Sequence, residues 1–380
     1  MSLIGPIEET GEKPIIQAIS DDDLTVEQRQ AIEKATTWTQ DIKARQVLTI
    51  GGRAGTGKTT LIRKLMEKVG TKKIVTTAYT GKAVSVLRKK GVTKAQTLHS
   101  LMYERVGVDN GQPVFEKQKL IPQDIVIVDE GSMVSRQLHE DLKSFGKKIL
   151  YIGDHWQLEP IGDSDIYLME KPDIQLEQIH RQAEGSAIIR FAEALHYGTD
   201  KFTQRKVPGL TVAGAGWFWD NLWEGWDTIL VGFNKTRHLI NTMYRDRQGF
   251  TKPYAQEGEK VICLRNNREY GVFNGMVATV TLIKEVTRTT VTANIEDELG
   301  NKWSDIPMLR RQFGVDSLRD KTDYNSLLFD WAYTQTVHKA QGSEWDRVIA
   351  LEEIWRDKWD PRRWSYTAAT RAAKELAYCR

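Results

Sequence analysis

Val47-Leu48-Thr49-Ile50-Gly51-Gly52-Arg53-Ala54-Gly55-Thr56-Gly57-Lys58-Thr59 is the stretch whose reading decides the fold. Four residues separate Gly52 from Gly57, and Lys58 and Thr59 follow, which is the spacing of a phosphate-binding loop. Glycines there let the backbone curl until successive N–H groups converge on an anion, in conformations that a side chain would forbid. Lys58 then reaches the outer phosphates of a nucleoside triphosphate, and Thr59 offers a hydroxyl to Mg²⁺. Such a loop needs a strand before it and a helix after it. Val47 to Ile50 supplies the strand, and Leu61, Ile62, Leu65, Met66 and Val69 fall at helical spacing.

The chain has 380 residues, room for two or three domains with buried cores. Hydrophobic residues at 40% and charged residues at 28% fit a soluble globular protein, and no apolar run is long enough to span a bilayer. Glycines, prolines and acids interrupt the isoleucines of residues 1–20, so this segment does not read as a signal peptide, and a cytoplasmic location without membrane attachment is expected. Cys263 and Cys379 are too few for a disulfide framework or a four-cysteine metal site and read as buried thiols. A net charge of +3 permits nucleic acid without arguing for it. Trp217, Trp219, Trp223 and Trp226 could stack on bases, but tryptophans so close together read better as packing residues.

Upstream of the loop, Thr25 and Gln28 have the spacing of a capping box. Gln28 could instead read an adenine edge, because its amide both donates and accepts. Ile74 to Thr77 reads as a strand running into Ala78-Tyr79-Thr80-Gly81-Lys82-Ala83, a turn that could meet a nucleic-acid backbone or simply start a helix. His99, in Thr97-Leu98-His99-Ser100-Leu101, reads on its own as structural. Asp109-Asn110-Gly111 between β-formers predicts a hairpin. Ile125-Val126-Ile127-Val128 is the continuous apolar run of a strand buried on both faces, and it ends in Asp129-Glu130. That pair divides labour naturally: Asp129 holds Mg²⁺ and Glu130 orients the attacking water.

A second buried strand, Ile149 to Ile152, leads to Gly153-Asp154-His155-Trp156-Gln157, where Gln157 could sense a terminal phosphate. Arg181 and Arg371 are candidate cations for a transferring phosphoryl group, each with an ordinary salt-bridge or surface role as the alternative. A second α/β pattern begins near Thr228, with a helix expected from Lys235 to Tyr244. Residues 258–298 are rich in short β segments, whereas residues 300–323 are charged and predict no element.

Taken together, GRAGTGKTT, TAYTGKA, QTLHSL, IVDEGSM, YIGDHWQLEPIG, LEQIHRQ, TVHKAQGSEWD and YTAATRA resemble, in order and spacing, the superfamily 1 helicases, in particular the RecD-like and Dda-like branch that moves 5′ to 3′ on DNA. The resemblance runs from about Leu24 to the end. It implies an α/β chain of two RecA-like P-loop domains: residues 1–101 with 124–175, and residues 176–263 with 329–380. A β-hairpin wedge (102–123) would interrupt the first and an SH3-like β-rich insert (264–328) the second. It implies ATP and Mg²⁺ as ligands, bound by Gln28, Gly55, Thr56, Gly57, Lys58, Thr59 and Thr60 with Asp129 on the metal. Lys58, Glu130, Gln157, Arg181 and Arg371 would be the catalytic set. Thr80, His99, His338 and Ser343 would line the single-strand track, and Asp109, Asn110, Gly111 and Phe115 would form the wedge.

Single-stranded DNA and single-strand/duplex junctions are the implied partners, with a replication or recombination protein as a further one, and a monomer is expected. Two departures stand out: Glu159 where the family usually has proline, and Gly131 where it usually has alanine. The alternatives left open are a RecD-like accessory ATPase subunit that needs a partner to unwind, a 3′-to-5′ helicase, and an RNA substrate.

Overall fold

A computed structural model describes residues 19–109, 112–159, 168–178, 185–267, 269–297, 300–315, 327–354 and 358–380. The first part of the chain runs α1 (Val26–Gln40), β1 (Val47–Gly52), α2 (Lys58–Val69), β2 (Ile74–Ala78), α3 (Gly81–Lys89), β3 (Gln96–Thr97), α4 (Leu98–Met102), β4 (Tyr103–Asp109), β5 (Gln112–Lys117), β6 (Ile125–Asp129), α5 (Arg136–Lys143), β7 (Lys148–Gly153) and β8 (Ile174–Leu176). Six of these strands form one parallel sheet in the order β3-β2-β6-β7-β1-β8. Side chains on a strand alternate between faces. Ile125, Ile127, Leu150 and Ile152 accordingly enter a core shared with α1 and α2, while Val126, Val128, Ile149 and Tyr151 enter a second core with α4 and α5. Burial on both faces is why these strands read as unbroken apolar runs.

The remainder comprises α6 (Ala187–Tyr197), β9 (Arg205–Val207), β10 (Leu210–Ala213), α7 (Ala215–Asn221), β11 (Thr228–Val231), α8 (Asn234–Gln248), β12 (Lys260–Cys263), β13 (Val277–Val286), β14 (Thr290–Asp297), β15 (Lys302–Leu309), β16 (Phe329–Trp331), β17 (Thr334–Thr336), β18 (Trp345–Leu351), α9 (Pro361–Ala369) and β19 (Ala372–Cys379). The second sheet, β17-β11-β18-β19-β10-β9, is parallel except for β9 at its edge. It repeats the two-faced logic, with Val348 and Ala350 in one core and Ile349 and Leu351 in the other. Its start near Thr228 is corrected: β9 and β10 already belong to it. β10 pairs with the final strand β19, so a partner more than 150 residues away, rather than any local pattern, makes Leu210–Ala213 a strand.

The five-stranded antiparallel sheet β15-β14-β13-β12-β16 takes in Lys260–Cys263 and Phe329–Trp331, so it is wider than residues 264–328. It also contains β15, in the charged stretch where no element was expected. Trp303, Ile306 and Met308 of β15 are buried, but a register shift against β14 breaks the period-two pattern that would have announced the strand. α8 joins this module to the second sheet through a buried polar seam at one-turn spacing. Arg237 meets Asp330 at 2.7 Å, Asn241 bonds the Trp331 carbonyl and the Thr334 N–H, and Arg245 meets Glu259 at 2.6 Å.

Of the tryptophan cluster, Trp226 is buried and Trp217 and Trp223 pack beside it around Phe218 and Leu222, as the packing reading expected; Trp219 is partly exposed. Cys263 and Cys379 are free and buried. No helix among the described residues is long and apolar enough to cross a membrane.

Candidate nucleotide and nucleic-acid site

Register brings the carboxyl ends of the first sheet's strands to one edge, the usual ligand edge of a parallel sheet. Ala78 stands opposite Asp129, and Gly51 opposite Gly153. The loop after β1, the acidic pair after β6, the Asp154–Gln157 turn after β7 and Thr80 after β2 therefore converge without any of them being neighbours in sequence.

The loop is a cradle that side chains would fill. Gly55 and Gly57 take φ of 81° and 76°, and a Cβ on Gly57 would lie 2.3 Å from Gln28 Nε2. Lys58 Nζ folds over the loop and donates to the Gly52 and Arg53 carbonyls at 2.8 and 3.1 Å. Thr59 and Thr60, half-buried, occupy the first turn of α2. Gln28 forms the capping box, its Oε1 accepting from the Thr25 N–H at 2.9 Å, and its Nε2 also donates to the Thr56 carbonyl at 2.8 Å. It is a tether between α1 and the loop, with one N–H and one lone pair left over.

Glu130 sits at φ 55°, a costly conformation for a side-chain-bearing residue, and its Oε2 is buried without a hydrogen-bond partner. Burial and then the charge of Glu130 push Asp129 up to about 7, against the opposing pull of Lys58. Two crowded carboxylates and the Thr59 hydroxyl are an oxygen donor set suited to a hard divalent cation, which would relieve their repulsion. Gln157 Oε1 is likewise buried without a partner, while its Nε2 donates to Asp154 Oδ2 at 3.3 Å. Cradle, orphaned acceptors and acidic pair thus fit Mg²⁺-nucleotide.

The second sheet's helices close over this edge. The hydroxyl of Tyr366, on α9, lies 2.9 Å from the Ala54 N and 2.8 Å from Asp154 Oδ2. Thr367 Oγ1 accepts from the Leu158 N–H, Gln341 Nε2 donates to the Leu158 carbonyl, and Arg363 donates to the carbonyls of His155 and Gln157. Arg53 reaches Glu193 of α6 at 2.6 Å and lies over the Trp156 ring, which stacks on His196 at 3.9 Å. Of these partners, only Gln157 was given a role in the sequence. Tyr366 offered one signal, a phenol followed by the small residues Thr367, Ala368 and Ala369, since a buried tyrosine hydroxyl needs a partner.

Arg371 is buried at the end of α9 and donates to the Thr367 and Ser343 carbonyls and to Thr370 Oγ1. The structure holds it within its own lobe. Arg181 lies outside the described residues. The two departures acquire contacts: Glu159 pairs with Arg363 at 3.7 Å, and a Cβ on Gly131 would lie 3.1 Å from Tyr151 Cβ, tighter than usual packing.

Thr80 caps α3, accepting from the Ala83 N–H at 3.1 Å, so the helix-start reading is realised. Gly342 of the second lobe lies against it, since a Cβ there would be 3.2 Å from Thr80 Oγ1 and 3.8 Å from Glu130 Cγ. Ser343 next to it is buried. His99 lies between Tyr79 and Tyr103, both at 6.0 Å, and His338 meets Trp359 edge-on at 5.0 Å. Burial lowers the pKa of both histidines, so they are neutral and offer hydrogen bonds and ring faces rather than charge.

Across the lobes, Lys82 Nζ lies 4.6 Å from the Trp345 ring, and Phe273 of the five-stranded module takes the space a Gly81 side chain would need. β4 and β5 pair as an antiparallel hairpin with Val106, Val114 and Phe115 exposed. Asp109 ends β4; Asn110 and Gly111 lie outside the described residues.

Two family models match the chain in order. Residues 23–208 match an AAA domain, and residues 332–377 match a UvrD-like helicase C-terminal domain. The chain is similar to the ATP-dependent RecD2 DNA helicase of Deinococcus radiodurans, 29% identical over 370 residues, covering 90% of this chain and 47% of that protein. It is also similar to the conjugal transfer protein TraA of Rhizobium radiobacter, 26% identical over 390 residues, covering 93% and 32%. It therefore spans about a third to a half of these relatives' own lengths. A Bacteroides Pif1 solved bound to ssDNA shares the fold, with TM-score 0.58, 18% identity and coverage of 95% of this chain and 92% of that one. An AAA domain and a UvrD-like helicase C-terminal domain matched in that order, with DNA helicases among the relatives, make the chain similar to the RecD/Pif1-like superfamily 1 helicases.

Proposed function

We propose that the chain is an ATP-dependent DNA helicase that moves 5′ to 3′ along single-stranded DNA and opens duplex ahead of it. The observation that carries this reading is the phosphate loop, with the buried free oxygens of Glu130 and Gln157, lying against a helix of a different sheet. A nucleotide bound there touches both lobes, so its hydrolysis can change how they meet.

In this reading the lobes are RecA-like: residues 1–101 with 124–175, and 176–259 with 332–380. The SH3-like insert is redrawn as 260–331 because β12 and β16 belong to its sheet. Thr59 and Asp129 hold Mg²⁺, which when bound screens the phosphate charge. Lys58 leaves its carbonyls for the outer phosphates, Gly55, Thr56, Gly57 and Thr60 line the loop, and Gln28 meets the adenine. Glu130 orients the attacking water, Gln157 senses the terminal phosphate, and Arg181 and Arg371 balance the developing charge once the cleft shuts.

Thr80 and Ser343, brought together at Gly342, and His99 and His338 with their aromatic neighbours line the strand. Phe115 and the hairpin tip at Asp109, Asn110 and Gly111 part the duplex. The deciding experiment is Lys58→Ala: ATP hydrolysis on single-stranded DNA disappears while DNA binding stays within a few-fold. Normal turnover in that variant refutes the assignment.

A further inference from the structure

Tyr366 stands where three functional segments meet. The Ala54 N–H can only donate, so the phenol oxygen accepts it at 2.9 Å, and the phenol's single proton goes to Asp154 Oδ2 at 2.8 Å. Asp154 is fully buried and also receives the Trp156 N–H at 3.0 Å and the Gln157 amide at 3.3 Å. Polarity is thereby fixed along the whole relay: loop N–H to phenol, phenol to carboxylate, amide to the same carboxylate. Tyr366 is 1% exposed and lies on α9, the helix that leads to Arg371. Its ring packs edge-on to Trp156 and His196 at 5.5 and 5.9 Å, contacts that do not involve the hydroxyl. Ring and hydroxyl therefore have separable jobs, one of packing and one of linkage.

We propose that Tyr366 is a positioning residue for the reaction. Its hydroxyl ties the loop amide at Ala54 to the Asp154–Gln157 turn and to α9, so that Gln157 and Arg371 come into place together when the lobes close on nucleotide. The inference rests on the ATP-hydrolysis reading above and names a residue through which loop and second lobe are coupled. A packing role alone would need the ring and be indifferent to the oxygen.

The test compares wild type, Tyr366→Phe, Asp154→Asn and the double variant of the full chain. The measurements are the thermal midpoint, the Kd for mant-ADP, and kcat and KM for ATP on saturating oligo-dT. Removing one hydrogen bond to a charged group should lower kcat by about 10- to 100-fold. The mant-ADP Kd should stay within about threefold, and the double variant within about twofold of the worse single, as expected for one shared linkage. A Tyr366→Phe kcat within about twofold of wild type overturns the proposal, as do losses that multiply in the double variant. If Tyr366→Phe does not fold, Asp154→Asn decides alone, with the same loss expected and a kcat within about twofold refuting. A wild-type chain that hydrolyses no ATP overturns the reaction reading and this inference together; wild-type turnover matched by Tyr366→Phe overturns this inference only.

Discussion

Gln28 offers a sharp test, because two roles converge on one side chain. Gln28→Ala removes the bond to the Thr25 N–H and the bond to the Thr56 carbonyl. Losing half of the capping box costs roughly 0.5–1 kcal/mol. Stranding the carbonyl of buried Thr56 adds about 1–3 kcal/mol. Alanine's better helix propensity returns a few tenths of a kcal/mol. The net is about 1–4 kcal/mol, or a drop of roughly 3–13 °C in the midpoint if the first lobe unfolds as a unit of about 150 residues. Thermal denaturation followed by circular dichroism reads the tether, and a shift below about 1 °C would refute it. Titration of mant-ATP and mant-GTP reads the second role. The N–H and lone pair that remain on Gln28 suffice for an adenine edge, so ATP affinity should fall more than GTP affinity. Equal losses would confine Gln28 to holding the loop.

Three further outcomes follow from other parts of the molecule. Arg245→Met strands the fully buried Glu259 carboxylate and should cost about 3–5 kcal/mol in urea denaturation, with Arg245→Met/Glu259→Leu recovering most of it; a loss under about 1 kcal/mol would refute the seam as the module's anchor. Burial, with Arg363 adding to it, pushes His196 down from 6.5 to about 4, so the unfolded chain takes up a proton that the folded chain refuses. Stability is then full above pH 6.5 and lost as pH falls towards 4, by about 1–2 kcal/mol once discounted for the partly exposed ring, and His196→Phe should flatten that slope; an unchanged slope would count against it. Phe115→Ala should slow strand separation several-fold while DNA-stimulated ATP hydrolysis persists, and unchanged unwinding would remove the wedge role from this residue.

Much of the fold was legible because its signals are local. The strand–loop–helix at Val47–Val69, the buried strands ending at Asp129 and Gly153, and the capping box at Thr25 and Gln28 each announce themselves within a dozen residues. What escaped depends on partners distant in sequence. Leu210–Ala213 is a strand because β19 lies beside it, and Lys302–Leu309 is one in spite of a bulge that scrambles its alternation.

The candidate site divides the same way. Residue types at fixed spacing pointed to Lys58, Thr59, Asp129, Glu130 and Gln157. The link from Ala54 through Tyr366 to Asp154 exists only once two sheets pack together, and the burial of Arg371 within its own lobe rests on Ser343, a partner distant in sequence. Gln28 shows that capping a helix does not exhaust a side chain, since one amide serves α1 and the loop at once.

The most direct test of the central claim is an ATP-dependent unwinding assay on DNA duplexes carrying either a 5′ or a 3′ single-stranded tail, run with wild type and Lys58→Ala. Opening of the 5′-tailed duplex alone, by wild type alone, is the predicted result. Preferential opening of the 3′-tailed duplex, or opening by wild type without ATP, would contradict the account.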